Sequence, residues 1–201
     1  DAILEAWFSG TEAGNAIADV LFGDYNPSGK LTATFPEHVG QIPIFYSMKN
    51  TGRPHNNQPN EKYKSRYLDV SNEPLFPFGF GLSYTTFEYG DVKVSAPHLS
   101  GLDKLTVSCK VTNSGKRDGE EVVQLYIRDL VGSVTRPVKE LKNFRKVMLK
   151  AGESSDITFT LSAADLSFYR EDMSFGPEPG KFKVFVGGNS RDVQEAEFEL
   201  R

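Results

Sequence analysis

The sequence predicts a mainly β protein: a two-sheet β-sandwich preceded by a truncated α/β unit and a long packed connector. Three observations carry this. Apolar and polar residues alternate with a two-residue period in several stretches beyond residue 87. A single apolar stripe at helical spacing stands near the start, and between the two regions prolines and aromatics accumulate without any period.

Residues 1–36 read as strand, helix, strand. The apolar run ending at Phe8 is the first strand. Ser9, Gly10, Thr11 and Glu12 then form an S-x-x-E pattern, a capping box in which each end satisfies the other's orphan backbone N–H. Ala13, Ala16, Ile17, Val20 and Leu21 fall on one helical face, and Gly23 supplies a left-handed C-terminal cap. Asn26-Pro27-Ser28-Gly29 has the residue preferences of a type I turn, and Leu31 to Phe35 is a short strand closed by Pro36. One such unit cannot bury both faces of its sheet, and the chain opens inside an apolar run. Both features lead us to expect a piece of something longer, with the sheet neighbours upstream of Asp1.

Residues 37–86 form the connector. Pro43, Pro54, Pro59, Pro74 and Pro77 interrupt it, and connectors of this length are functional or packed on a neighbour. Phe45, Tyr46, Tyr63, Tyr67, Phe76, Phe78, Phe80 and Tyr84 favour packing on a neighbouring domain, since each ring can bury about 150–250 Å². Asn50 to Lys62 has the lowest apolar density and is expected to be the most mobile part.

Residues 87–201 are all β. Leu105, Val107, Cys109 and Val111 alternate with polar neighbours, and the pattern recurs at Val123/Leu125/Ile127, Ile157/Phe159/Leu161 and Phe182/Val184/Val186. Turns are expected at Asn113-Ser114-Gly115, Ala151-Gly152-Glu153 and Glu178-Pro179-Gly180. About seven short strands without a disulfide indicate an immunoglobulin-like or fibronectin type III-like sandwich. Cys109 shares the inward register and reads as a small core side chain. Most sandwich aromatics share that register too, with Tyr126 and Phe185 facing out.

Composition narrows the function. The chain has 201 residues, 38% hydrophobic and 25% charged, which is globular rather than disordered. A net charge of −4 argues against nucleic acid or anionic membrane as the main partner, and no apolar run is long enough for a transmembrane helix. The single cysteine excludes an intrachain disulfide and a cysteine-based zinc site.

Candidate chemistry is sparse. The acidic clusters Asp118-Gly119-Glu120-Glu121, Glu171-Asp172 and Glu195-Ala196-Glu197 read as solvated charges, and Glu12 as a helix-capping carboxylate. His38, His55 and His98 share no ligand spacing, and Gly79-Phe80-Gly81 lacks the strand-turn-helix frame of a phosphate loop. Arg136, Lys139, Lys142, Arg145, Lys146 and Lys150 read as a charged, exposed strand face that discourages edge pairing, because residues 87–201 balance 17 basic against 18 acidic side chains. One loop stands apart. Arg53, Tyr63 and Arg66 bring the guanidinium forks and aromatic faces that bind sugar hydroxyls and rings, although anchoring the loop to a neighbouring domain would use the same residues.

Four segments together resemble the C-terminal part of glycoside hydrolase family three, the group of bacterial periplasmic β-glucosidases. These are Trp7 to Leu31 with Thr34-Phe35-Pro36, Asn50 to Pro54 continuing through Tyr63 to Asp69, Phe76 to Thr85, and Val134 to Leu141. The chain departs from the family at Ser9-Gly10, usually Pro-Gly, and at Ala13-Gly14, often Gly-Gly. The resemblance implies a barrel domain with an Asp nucleophile, an α/β domain with a Glu acid/base, and a terminal fibronectin-like domain. It also implies removal of β-linked glucosyl units through a covalent intermediate, without a cofactor, in the periplasm or outside the cell. The sole Ser-Asp pair, Ser155-Asp156, is followed by Ile157 within a strand rather than forming the nucleophile's motif, and the acid/base loop is expected upstream of Asp1, so no catalytic residue carries over to this chain. The partners implied are the upstream barrel and α/β domains and a β-linked oligosaccharide or glucoside. Two other readings stand beside this: a carbohydrate-binding or adhesion sandwich, and an assembly module making a homodimer contact.

Overall fold

The alternation between Lys104 and Thr112 becomes one long strand, β4 (Lys104–Asn113), at the centre of the first sheet. The computed structural model describes residues 2–54, 62–101 and 103–201. β4 pairs along its length with β7 (Ser154–Ser162), and at separate stretches with β1 (Phe87–Tyr89) and β2 (Lys93–Val94), all antiparallel. The second sheet runs β3 (His98–Leu99), β11 (Val193–Leu200), β10 (Gly180–Gly187), β5 (Gly119–Asp129) and β6 (Glu140–Leu149). Within this sheet the β3–β11 pairing is parallel and the others are antiparallel. A small ribbon, β8 (Phe168–Tyr169) with β9 (Phe175–Gly176), stands apart from both sheets.

Each expected alternation sends its apolar residues into one core. Val107 and Val111 of β4, Val123 and Leu125 of β5, and Val184 and Val186 of β10 are wholly buried. Phe182 and Phe198 stack across β10 and β11 with centroids 5.4 Å apart. Cys109 lies in this core, donates from Sγ to the Gly90 carbonyl at 3.1 Å, and has its thiol pushed up to about 11 by burial.

The corner where β4 crosses to β5 is built on Asn113. Its side chain is fully buried, accepts from Thr85 Oγ1 and Gly115 N, and donates to the Arg117 and Leu149 carbonyls. The expected turn at Ala151-Gly152-Glu153 docks on the same residue through Gly152 N to Asn113 O and Asn113 N to Glu153 O, with Gly152 at φ +79°.

The first region differs from its sequence reading. Only the helix α1 (Ala13–Phe22) is regular, capped by Gly23 in the left-handed region as expected. No capping box forms: Ser9 Oγ donates to the Ala6 carbonyl, and Glu12 is the N-cap residue without a side-chain capping bond. A box would need Gly10 in helical geometry, and Gly10 sits at φ +70°. The apolar stripe of α1 is half-buried at best, with Leu21 and Phe22 exposed. Residues 2–8 make no strand, for Trp7 adopts φ 45° and no described strand lies alongside. Residues 31–35 pair with residues 76–80 at two points, Leu31 with Gly79 and Phe80 and Phe35 with Phe76, rather than forming a continuous strand.

Val107→Asp is expected to abolish cooperative thermal unfolding of the sandwich. It buries an unpaired charge at a site of zero exposure, costing several kcal/mol against a total stability of about 5–15 kcal/mol. Circular dichroism melts of variant and parent check this; a melt at the parent temperature would place the β4 register wrongly.

Candidate functional site

The connector docks on the outer face of the five-stranded sheet, and that docking creates the candidate site. β5 alternates, so Gln124 and Tyr126 face away from the core that takes Val123, Leu125 and Ile127. Yet both are buried. The Gln124 amide donates to the carbonyls of Gly79 (3.3 Å) and Gly188 (2.6 Å) and accepts the Tyr126 hydroxyl. Gly79 lies so close that any side chain there would overlap the Gln124 amide. Tyr46 stacks on Phe78 at 4.4 Å and meets Tyr126 edge-on at 5.6 Å. Burial drives the Tyr126 hydroxyl pKa upward.

Tyr126 and Phe185, read from the sequence as outward aromatics, are therefore covered. Phe185 lies under the Lys139 ammonium, 4.6 Å from the ring centroid. Lys139 also donates to the Ser190 carbonyl at 2.6 Å, and desolvation holds its pKa below the ordinary lysine value. Lys139 and Arg136 are thus not part of an exposed basic face. Arg136 lies over the Phe168 ring at 4.1 Å and pairs with Glu140 at 3.0 Å. Arg145, Lys146 and Lys150 do lie exposed on or just beyond the edge strand β6. Among the described residues 87–201 the aromatics left exposed are others: Phe144 on β6 and the pair Tyr169 and Phe175 on the ribbon, 4.8 Å apart.

A second dock lies at the start of β5. Asn26-Pro27-Ser28-Gly29 is not a turn. Asn26 Oδ1 accepts from Ser83 Oγ and Tyr84 N, while its amide donates to the Asp118 carbonyl. These cross-links tie the segment to residues 83–84 and 118, outweighing the local turn preference. Glu121 is not a solvated charge either. Its side chain is 5% exposed, pairs with Lys30 Nζ at 3.1 Å and accepts the Tyr89 hydroxyl at 2.8 Å. Glu120 pairs with Lys146 at 2.7 Å and accepts from Tyr25 and Ser28, and these bonds hold its carboxyl below the usual carboxylate range. Glu195 and Glu197, paired with Lys183, are exposed as read.

The residues singled out for sugar contact lie on the segments 49–54 and 62–67 of the connector. Arg53, Tyr63 and Arg66 are all exposed, Tyr63 at 81% and in a left-handed conformation at φ 63°. The backbone brings Arg53 and Arg66 towards one another: Ser65 N donates to the Arg53 carbonyl at 2.9 Å, and Thr51 and Ser65 hydroxyls bond at 2.8 Å. Asn72 holds the Ser65 carbonyl and the Tyr67 N–H. Buried Gln41 anchors the base, accepting from Glu37 N and His38 N and donating to the Ser71 and Glu73 carbonyls. Tyr67 closes the frame by donating to the Gln41 carbonyl. Residues 55–61 of this loop, including His55, lie outside the described residues. His38 caps a single 3-10 turn, Val39–Gln41, and His98 lies 3.5 Å from Glu199. Among the described residues no three of His, Cys, Asp and Glu converge as metal ligands, and no helix is long and apolar enough to cross a membrane.

Two tests follow from these docks. Lys30→Ala strands the buried Glu121 carboxylate and is expected to cost about 3–5 kcal/mol, most of it regained when Glu121→Gln is added; denaturant unfolding of the cycle measures it. Glu120 has a lower pKa folded than unfolded. Its stabilisation is therefore complete above the ordinary carboxylate range and is lost as pH falls through the folded value. Acidification from about pH 6 to about pH 3 should lower the melting temperature less in Glu120→Gln than in the parent.

Residues 1–84 match the glycosyl hydrolase family 3 C-terminal domain, and residues 121–190 match the fibronectin type III-like domain. A periplasmic beta-glucosidase of Salmonella typhimurium is 55% identical over 200 residues, spanning 100% of this chain and 26% of its own length. A beta-xylosidase of Formosa agariphila is 45% identical over 94% of the chain and 25% of its own length. The crystal structure of beta-glucosidase from Listeria innocua in complex with gluconolactone superposes with a TM-score of 0.92 at 45% identity, over 98% of this chain and 27% of that one. The chain thus spans about a quarter of the length of these relatives. By these matches the chain belongs to glycoside hydrolase family 3, carrying sequence of the family's C-terminal domain followed by a fibronectin type III-like domain.

Proposed function

We propose that the chain is the supporting C-terminal region of a β-glucosidase-type, exo-acting, retaining glycoside hydrolase, with the nucleophile and acid/base supplied by other parts of a longer protein. In this reading residues 1–36 end the α/β domain, residues 37–86 connect, and residues 87–201 are the sandwich that buttresses both. The substrate is a β-linked oligosaccharide or glucoside, and Arg53, Tyr63 and Arg66 contribute sugar contacts. The protein acts in the periplasm or after secretion, in keeping with the name of the Salmonella relative.

The observation that carries the reading is where the apolar surface lies. Ile3, Trp7, Phe8, Leu21 and Phe22 are exposed, while the outer sheet face of the sandwich is already covered by the connector. An uncovered apolar surface of that extent marks an interaction site, here for the remainder of the chain. The carbohydrate-binding alternative cannot use Tyr126 and Phe185 as its sugar platform, because both are buried. The assembly alternative predicts a dimer mass in light scattering, whereas the supporting role does not require one.

Purified alone, the chain is expected to release no aryl group from an aryl β-glucoside, because the acid/base contribution of about 10²–10⁴-fold and the covalent intermediate are lost together. Calorimetric sugar affinity should be no tighter than about millimolar with one pocket wall present. Turnover that co-purifies with the chain and falls on substitution of one of its own carboxylates would overturn the proposal.

A further inference from the structure

We infer that the sandwich does more than support: through Tyr126 and the segment 137–139 it sets the position of the loop residues 49–54 and 62–67, making Tyr46 a positioning residue for that loop. The value of this for sugar binding rests on the reading of Arg53, Tyr63 and Arg66 given above.

The contacts form one continuous path. Tyr126 is rigid because its ring is fully buried and its hydroxyl is held by Gln124. Tyr46 lies against it edge-on, backed by the parallel ring of Phe78. Phe78 is fixed in turn, since its carbonyl accepts from Ser190 N at 2.9 Å and the next residue, Gly79, rests on Gln124. Two residues beyond Tyr46, the Met48 carbonyl accepts from Val138 N at 2.9 Å, and Lys49 bridges to Pro137.

The segment that receives them is pinned on both sides. Arg136 is held by Phe168 and Glu140, and Lys139 by Phe185 and the Ser190 carbonyl. This explains the stretch Val134 to Leu141, which the sequence marks without giving it a task. Two cations clamped over rings, one on a carboxylate and the other on a carbonyl, hold the peptide between them still, so that one N–H points at the connector. From Lys49 the chain runs directly to Thr51 and Arg53, whose carbonyl holds Ser65. The loop is therefore tied at its base to Gln41 and Asn72, and at its leading end to the sandwich. Edge and stacked ring contacts are directional. Losing them frees the tyrosine backbone without opening the core, because Tyr46 lies outside the buried cluster.

Hydrogen exchange on this chain tests the positioning. Tyr46→Ala should raise exchange over residues 47–54 and 62–67 by about tenfold, while β4 and β7 exchange as in the parent. Tyr46→Phe, which keeps both ring contacts, should behave as the parent. Tyr126→Leu, made from the sandwich side, should loosen the same residues. Unchanged loop exchange in Tyr46→Ala overturns the inference, as does an equal rise in the core strands. In the longer chain that the proposed function implies, Tyr46→Ala should raise KM for an aryl β-glucoside several-fold, with rescue by Tyr46→Phe. Faster loop exchange with KM and kcat both unchanged would leave the positioning intact and overturn the sugar-contact reading instead.

Discussion

Burial of β5 on both faces is the constraint on which the rest of the structure depends. Val123, Leu125 and Ile127 face the sandwich core, while Gln124 and Tyr126 face a second interior roofed by the connector. A strand buried on one side can tolerate water on the other, and its outward residues are then free to vary. Here they are not free. Gln124 must satisfy every polar atom it carries without water, and it does so with two peptide carbonyls and a phenol. An amide left unpaired at that depth would cost about 1–3 kcal/mol, so the connector has to arrive in one register.

The same strand organises charge at its other end. Glu120 and Glu121 are neighbours, yet one meets Lys146, Tyr25 and Ser28 and the other meets Lys30 and Tyr89. Both draw in the segment that leaves α1. The exposed pair adds little, as surface ion pairs generally do, whereas the buried one makes misplacement of Lys30 expensive. Apolar rings thus position residues 46 and 76–80, and carboxylates position residues 25–30.

How much of this was legible in the sequence depended on the range of the forces involved. Period-two alternation named the core residues of β4, β5, β7 and β10, because the strand itself imposes that period. It also gave the facing of Tyr126 and Phe185. What lay above them was hidden, since Tyr46 and Lys139 are placed there by tertiary contacts. Glu121 looked solvated for a similar reason: its counter-ion is 91 positions away. The local patterns that failed, at Ser9 to Glu12 and at Asn26 to Gly29, were overridden by a left-handed Gly10 and by the side-chain bonds of Asn26. For Arg53, Tyr63 and Arg66, residue type suggested the chemistry, but it takes the bonds from Ser65 to Arg53 and Thr51 to bring the two arms of the loop together.

The shared roof over Tyr126 also bears on how such a protein can be taken apart. A cut at residue 87 follows the change from connector to strands and would appear to release a self-contained sandwich. It would in fact unroof one sheet, taking the Gly79 carbonyl from Gln124 and baring Tyr126 on the face where Phe144, the β6 partner of Gln124, is already exposed. The excised piece would carry a flat, sticky flank next to the open edge of β6, the arrangement from which sheets recruit one another. The boundary that keeps this roof in place therefore falls before Tyr25, within the residues that match the glycosyl hydrolase family 3 C-terminal domain.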